Sequence, residues 1–376
     1  MCVLLFDDSP TLYILSNAVF ALLVLLTLLR KNFTIHKNAF SVAIVLYFIW
    51  TMASLLWCVD SSAVIADIKK QILFLTLIFC ITHLCYIDND YTTVFKWFIV
   101  AGIAYFISLM NTYGIQQFIT SIVTGIRIGD DFLQLNKLAM NCALISIISF
   151  NFLIEYKKKI YILPMVMTLF LMLGAESRRS FLVLLISLIL SYLLFMKKEG
   201  NTNKKLFYAL AGICVLFISI YIYTSSTLFS GLNSRFLELS SSSNQDTLRM
   251  LYLRYGLETF KNHPILGIGS GNSHIVTLMA AGKKTYLHNN YVELLVNLGV
   301  IGFALYYYLY YYLIKRLRTT GKNNFENRIM IVILIAQLVS DLGVTSYSYK
   351  FTYIIFALAL GVIQKSIEHE HSVVEE

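Results

Sequence analysis

Residues 180–196 read SFLVLLISLILSYLLFM, an apolar run that holds no charged residue and is followed directly by Lys197 and Lys198. A helix of about 20 apolar residues spans the ~30 Å hydrocarbon core of a bilayer. The run is continuous and does not alternate with a period of two, which favours a helix over a strand of an outer-membrane barrel. This stretch therefore predicts a helix that crosses a membrane.

Runs of this kind recur along the whole chain, and about eleven can be placed. They start near Thr11, Ala39, Gln71, Thr93, Leu138, Ile160, Arg179, Leu206, Tyr291, Arg328 and Tyr349. The composition agrees, because 58% of the 376 residues are hydrophobic and 14% are charged, against about 25% charged in soluble proteins. We expect an all-α integral membrane protein with about 11 (10–12) transmembrane helices in a single polytopic domain over residues 1–376. Cytosolic enzymes and secreted disulfide scaffolds are excluded.

Basic residues predict the orientation of these helices. They occupy alternate connections, namely Arg30, Lys31 and Lys37, then 157–159, then Lys197, Lys198, Lys204 and Lys205, then Lys315, Arg316, Arg318 and Lys322. These loops are expected to be cytoplasmic. The long polar segment 224–290 then faces the periplasm, and the spacing of apolar residues over 246–261 predicts an amphipathic helix on the membrane surface. Because much of the net charge of +9 sits in loops, no nucleic-acid partner is expected.

The outward segments hold basic residues that could bind an anionic substrate. They are Arg127, Arg178, Arg179, Arg235, Arg249, Arg254 and His288. Arginine at a bilayer surface also contacts lipid phosphates, so both interpretations stay open, above all for Arg235 and Arg254. Arg178 and Arg179 lie in a short turn between two predicted spans, where the positive-inside rule disfavours them. Bidentate binding of a diphosphate would explain that pair.

His288 lies in LHNNYVE, residues 287–293, where the long segment turns into an apolar helix. Asn290 followed by Glu293 resembles a capping box, which predicts that the helix begins at Asn290. A helix N-terminus favours neutral imidazole, which can accept a proton. The alternative is a loop histidine that contacts lipid headgroups.

Other candidates carry weaker signals. Residues 264–271, PILGIGSG, predict flexible backbone and are only weak evidence for a phosphate site, and Gly299 and Gly302 predict close helix packing. Asp341 is an intramembrane carboxylate that could pair with an arginine. Asp130 and Asp131 supply too few ligands for a metal ion, so neither a metal nor a cofactor is expected. Residues 1–6 lack a basic start and a cleavage site, so no signal peptide is expected.

Together these residues resemble the signature of the O-antigen ligase and polymerase superfamily. The order is Arg249, then Pro-x-x-Gly-x-Gly over 264–269, then His288 and Asn289, then Gly299-x-x-Gly302. GAESRRS, residues 174–180, is similar to the family's short Ser-Arg turn, and LLWCVD, residues 55–60, is similar to its early Ser-x-x-Trp-Ser-x-Asp segment. The resemblance extends from about Trp57 to Gly302.

The resemblance implies a bacterial inner-membrane glycosyltransferase whose active site faces the periplasm and whose donor and acceptor are undecaprenyl-diphosphate-linked glycans. It implies metal-independent transfer, and direct displacement would invert the anomeric carbon. His288 and Arg249 are the expected catalytic residues. The expected substrate-binding residues are Arg178, Arg179, Arg254, Arg127 and Asp341. The resemblance also allows for a chain-length regulator protein as a partner.

Two functions within the family remain open at this point. A polymerase joins repeat units of O-antigen or capsule, whereas a ligase moves finished glycan to lipid A core or protein. The compact outer segment and the 25 Tyr and 26 Phe favour a polymerase. A lipid-linked sugar flippase or transporter is a further alternative, but the charged candidates gather at one face and not at the midplane.

Overall fold

The computed structural model describes residues 10–29, 38–88, 90–124, 135–175, 177–196, 244–321 and 324–375. In these ranges the regular structure is helical and no strand occurs, which confirms the predicted all-α class for the described residues. The helices are α1 (Pro10–Leu29), α2 (Ala39–Ala53), α3 (Ser61–Asp88), α4 (Tyr91–Thr124), α5 (Leu135–Tyr156), α6 (Ile162–Gly174), α7 (Arg178–Met196), α8 (Asn244–Asn262), α9 (Ser273–Ala281), α10 (Asn290–Thr319), α11 (Phe325–Ser340) and α12 (Lys350–Glu375).

Within the described ranges, five helices are long and apolar enough to cross a membrane. These stretches are Ala39–Leu56, Tyr91–Thr120, Leu138–Tyr156, Asn290–Thr319 and Lys350–Glu370, and shorter apolar helices occupy Ala18–Leu29, Lys159–Met172 and Arg179–Leu194. Each predicted span falls on a helix except the one near Leu206, which lies outside the described residues. Arg127, Arg235 and the pair Asp130 and Asp131 also lie outside them.

One of two compact units is formed by α4 to α7 together with the first part of α11. In it, α5 packs against α6 and α7, and Ser146 and Thr168 bring their buried hydroxyl oxygens within 2.7 Å. A short turn joins α6 to α7, because α6 ends at Gly174 and α7 begins at Arg178. A Cβ at Gly174 would overlap the ring of Phe118, so the small residue allows this close approach.

The other unit contains α2, α3, α8, α9, α10 and α12. Helix α2 packs against α10, and α3 packs against α12. Aromatic side chains fill the core, as in the stacked pair Phe74 and Tyr353, whose ring centroids lie 4.4 Å apart. Three buried tyrosines of this core, Tyr306, Tyr310 and Tyr353, surround the ring of Phe356.

Helix α10 is broken at Gly299, where φ is 65° and ψ is −169°. A break leaves backbone groups of the flanking turns without their helical partners. The glycine-rich segment supplies new partners, because Ile268 and Gly269 donate their N–H groups to the carbonyls of residues 296 and 297, both at 2.9 Å. On the other side of the break, the N–H of Val300 donates to the Pro264 carbonyl at 2.9 Å. The Trp50 indole completes the set by donating to the Leu298 carbonyl at 3.0 Å.

The glycines at this junction are needed because the backbones approach closely. A Cβ at Gly299 would overlap the Ile265 carbonyl, and one at Gly267 would overlap the backbone of Asn297. The expectation of flexible backbone over 264–271 is therefore wrong, since this segment is hydrogen-bonded to α10. Gly302 packs against Leu298 and Trp50 as predicted. Gly299 instead allows a break, which a packing motif alone does not predict.

We expect Gly299→Ala to destabilise the protein far more than Gly282→Ala. Both glycines have a φ of 65°, but Gly282 has open space around its Cα and an ordinary left-handed ψ of 15°. That substitution should cost about 1–2 kcal/mol. The backbone of Gly299 lies in a region that is essentially restricted to glycine, and its new Cβ would also strike the Ile265 carbonyl.

Thermal unfolding of both variants in one detergent would measure this difference. Equal melting temperatures for the two variants would show that the junction at Gly299 tolerates a side chain and that the break does not depend on glycine.

Candidate active site

The start of α10 is anchored by two neighbours of His288. Leu287 is fully buried in an apolar cluster, and its N–H donates to the Glu293 carboxylate at 2.8 Å. Asn289 is the N-cap of α10, and its side chain accepts from the Val292 N–H at 3.1 Å. His288 is thus held between a buried residue and a helix cap.

The backbone of His288 is left-handed, with a φ of 56°. Such a conformation is uncommon outside glycine, although histidine is among the residues that adopt it most readily. Strained residues of this kind cluster at functional sites because the surrounding structure fixes them. The half-buried imidazole ring lies 4.1 Å from the Tyr286 ring and 6.4 Å from the Tyr252 ring, measured between centroids.

Helix α8 brings arginines into the same unit. Its residue Tyr252 is buried in the apolar cluster together with Leu287, and Leu248 and Phe260 pack against that cluster. The apolar face of α8 therefore packs on the protein itself. Arg249 precedes Tyr252 by one helical turn and is half-buried, so it lies near the face of α8 that Tyr252 directs toward His288. Arg254 is exposed.

The predicted arginine turn lies in the other unit. Arg178 is the first residue of α7, and Arg179 is half-buried beside it. The preceding Ser177 is buried, and its hydroxyl lies 3.1 Å from that of Ser180. The carbonyl of Ser177 accepts from the Phe181 N–H at 3.2 Å, which closes the first turn of the helix.

Helix α10 begins at Asn290 as predicted, but the residue that caps it is Asn289 and not Asn290. Asn290 is instead fully buried, and its amide donates to Tyr307 at 2.9 Å and to the Asp341 carboxylate at 3.1 Å. Its side-chain oxygen accepts from the Tyr347 N–H at 3.1 Å. Asn290 therefore ties the start of α10 to the segment after α11.

Asp341 forms no pair with an arginine of the described residues, contrary to what the sequence suggested. Its side chain is fully buried, and its Oδ2 accepts from Asn290 and from the Tyr307 hydroxyl at 3.0 Å. Its backbone carbonyl also accepts from the Asn290 N–H at 2.8 Å. In the described structure this carboxylate supports the start of α10 and has no surface on which a substrate could bind.

Two buried carboxylates lie beside the glycine-rich segment, and sequence reasoning missed Asp67 and assigned Glu293 only to a capping box. Asp67 accepts a short hydrogen bond from the Ser270 hydroxyl, and Glu293 accepts from the Ser273 hydroxyl at 3.0 Å. Asn297 accepts from the Ser273 N–H at 2.7 Å. A signal in the sequence could have identified these residues, because polar residues at 67, 293 and 297 interrupt otherwise apolar helices.

A half-buried pair borders the same segment. Asp60 and His274 approach to 3.4 Å, and the Asn272 side chain accepts from the Asp60 N–H at 2.6 Å. The Ser62 hydroxyl, which donates to Asp60, lowers the pKa of this carboxyl below its usual range. Asp60 therefore stays ionised at neutral pH and lies within ion-pair distance of the His274 ring.

We expect Asn290→Ala to cost more stability than Asn289→Ala. Loss of the cap should cost about 1 kcal/mol. Loss of Asn290 leaves the Tyr347 N–H and part of the Asp341 carboxylate without a partner in a buried site, which should cost roughly 2–4 kcal/mol. Unfolding of the purified variants by sodium dodecyl sulfate would measure both changes, and a larger loss for Asn289→Ala would contradict the assignment of the cap.

A comparison with known protein families gives a match over part of the chain. The family model described as Wzy_C, O-Antigen ligase, matches residues 163–307. The matched range includes the arginine turn, Arg249, the glycine-rich segment, His288 and the break in α10. No curated protein matches the chain. The resemblance inferred from the sequence is thereby confirmed over residues 163–307, which are similar to the Wzy_C family, whose members are bacterial membrane enzymes that transfer lipid-linked glycans.

Proposed function

We propose that the protein polymerises undecaprenyl-diphosphate-linked oligosaccharide repeat units on the periplasmic face of the inner membrane. His288 is the observation that carries this proposal. It precedes the capped start of α10 in a left-handed conformation, between two aromatic rings and close to the helix that holds Arg249. A residue fixed in this way is preorganised to meet a substrate.

In the proposed reaction, an acceptor hydroxyl attacks the anomeric carbon of the donor. The new glycosidic bond forms as the bond from that carbon to the diphosphate oxygen breaks, so the anomeric configuration inverts. His288 accepts the hydroxyl proton, which is general-base catalysis. Undecaprenyl diphosphate leaves with the bonding electrons, and arginine stabilises its developing negative charge.

Arg249 is the proposed catalytic arginine, because it is half-buried and one turn from the residue whose ring faces His288. Arg254 is exposed on the same helix and is a candidate for glycan or headgroup contact. We retain Arg178 and Arg179 as diphosphate-binding residues because their turn lies within the range matched by the family model. Arg127 is proposed as a substrate-binding residue only because of its position in the sequence. Asp341 is proposed as a positioning residue that acts through Asn290.

The proposed topology has about eleven spans in one polytopic domain, with the segment 224–290 in the periplasm. It is supported by the lysine-rich connections, one of which follows the basic last turn of α10. Lys284 and Lys315 are exposed at positions predicted to lie on opposite sides.

In a chain without its six native cysteines, Lys284→Cys should react with an impermeant maleimide when only the outer membrane is opened. Lys315→Cys should react only after the inner membrane is also opened. The reverse result would invert the topology and remove the basis for a periplasmic site.

Support for a polymerase comes from the outer segment. Its described part, residues 244–290, is compact, since α8 and α9 pack on one apolar cluster. The tyrosines of α10 support a polymerase less than the sequence suggested. Tyr306 and Tyr310 are buried in the core and cannot contact a glycan. The second candidate is a ligase that transfers glycan to lipid A core or protein. It is favoured by the description of the matched family as O-Antigen ligase.

Deletion of the protein followed by gel analysis of surface polysaccharide would separate the two functions. Loss of a polymerase should leave one repeat unit on lipid A core, whereas loss of a ligase should leave full-length chains on the lipid carrier. Wild-type protein should restore polymer, and His288→Ala should not, since loss of a general base costs ~10²–10⁴-fold in rate.

His263→Ala is the matched control, because His263 is exposed in the same segment and lies outside the His288 motif. It should restore polymer fully. Wild-type chain lengths with His288→Ala, at normal protein abundance, would refute the general-base role.

A further inference from the structure

A cavity of about 530 Å³ lies among α2, α3, α10 and α12. Most of its lining is aliphatic or aromatic, for example Ile44, Ile78 and Leu360, and one arginine, Arg316, contributes a cationic group. Arg316 is in the last turn of α10, and the helix rises roughly 24 Å between the Gly299 break and this turn. The cavity is therefore separate from the site at the start of α10.

The charge of Arg316 is not balanced within the cavity. None of the described residues that line it is a carboxylate. The Nε atom of Arg316 is buried, and no described residue accepts a hydrogen bond from it. A buried donor without a partner costs free energy, more so when the group is charged. The arrangement would therefore be stabilised by an anion in the cavity.

The helix dipole explains only part of this arrangement. Basic residues are favoured in the last turn of a helix, and Arg318 lies there with an exposed side chain, as does the exposed Lys315 just before that turn. Arg316 differs from these neighbours because its guanidinium group is partly buried against an apolar cavity. The dipole does not require that burial.

The lining also opens toward the surroundings of the protein. Val45 and Phe79 line the cavity, and they are 48% and 37% exposed. Val45 lies on α2, one of the helices that is long and apolar enough to cross a membrane. Its exposed apolar surface is suited to contact with lipid chains. A molecule with an apolar chain could therefore reach the cavity from the bilayer.

These features together fit one class of ligand. A cavity of 300–1,000 Å³, the usual range for a small-molecule site, can hold part of an acyl chain, and a buried guanidinium binds phosphate through paired hydrogen bonds. Basic pockets between membrane helices commonly take anionic lipid headgroups. We propose that this cavity binds an anionic phospholipid, with its phosphate on Arg316 and an acyl chain along the aliphatic lining.

Native mass spectrometry of the full-length protein in detergent would test this proposal. Phosphatidylglycerol should bind at least tenfold more tightly than phosphatidylethanolamine, since only the former has a net negative charge. Arg316→Gln should weaken the binding of phosphatidylglycerol at least tenfold, as expected for loss of a charge-assisted contact. Arg318→Gln, a change of the same charge at an exposed position of the same turn, should leave binding unchanged.

A second pair of variants tests the apolar lining of the cavity without changing Arg316. Val45→Trp should fill the cavity and reduce phosphatidylglycerol binding, whereas Val42→Trp, at an exposed position outside the lining, should not. Equal binding of the two lipids, or unchanged binding in Arg316→Gln or Val45→Trp, would overturn the proposal. Displacement of the lipid by inorganic phosphate at similar concentration would assign the site to free phosphate and would also overturn it.

Discussion

The unit that holds His288 depends on the backbone hydrogen bonds around the break at Gly299. In an environment of low polarity, each unpaired carbonyl or N–H group costs free energy, so a helix can be interrupted only where other groups replace its lost partners. Two separate parts of the chain do this, namely the glycine-rich segment, through the N–H groups of Ile268 and Gly269 and the Pro264 carbonyl, and the Trp50 indole. Their positions fix the loop that connects α8 to α9, and thereby much of the surroundings of the candidate site.

Hydrogen bonds hold the first part of α10, before the break, to the neighbouring segments. Asn289 caps it, Asn290 and Asp341 attach it to the segment after α11, and Glu293 binds the N–H of Leu287. His288 directly precedes this part of α10, and its left-handed backbone is fixed by the residues on either side of it.

Apolar runs predicted most of the helices because length and hydrophobicity alone determine whether a segment can cross a bilayer. The predicted cap was wrong by one residue because Asn289 and Asn290 are equally good caps in isolation. Only the contacts of Asn290 with the distant Asp341 and Tyr307 show that Asn289 is the cap. The break was missed for a similar reason. The same glycine spacing serves packing and interruption, and which one occurs depends on a segment that lies some thirty residues earlier in the chain.

The hydrogen bond from Trp50 to the Leu298 carbonyl joins residues 248 positions apart in the chain. Trp57, which donates to the Leu266 carbonyl, is separated from its partner by 209 positions. During synthesis, α2 enters the membrane long before its partners leave the ribosome, and such distant contacts form slowly. The unit that contains α2 and α10 therefore reaches its final geometry only after α10 has been synthesised, and an unfinished chain that ends before α10 lacks the carbonyl that accepts the Trp50 hydrogen bond.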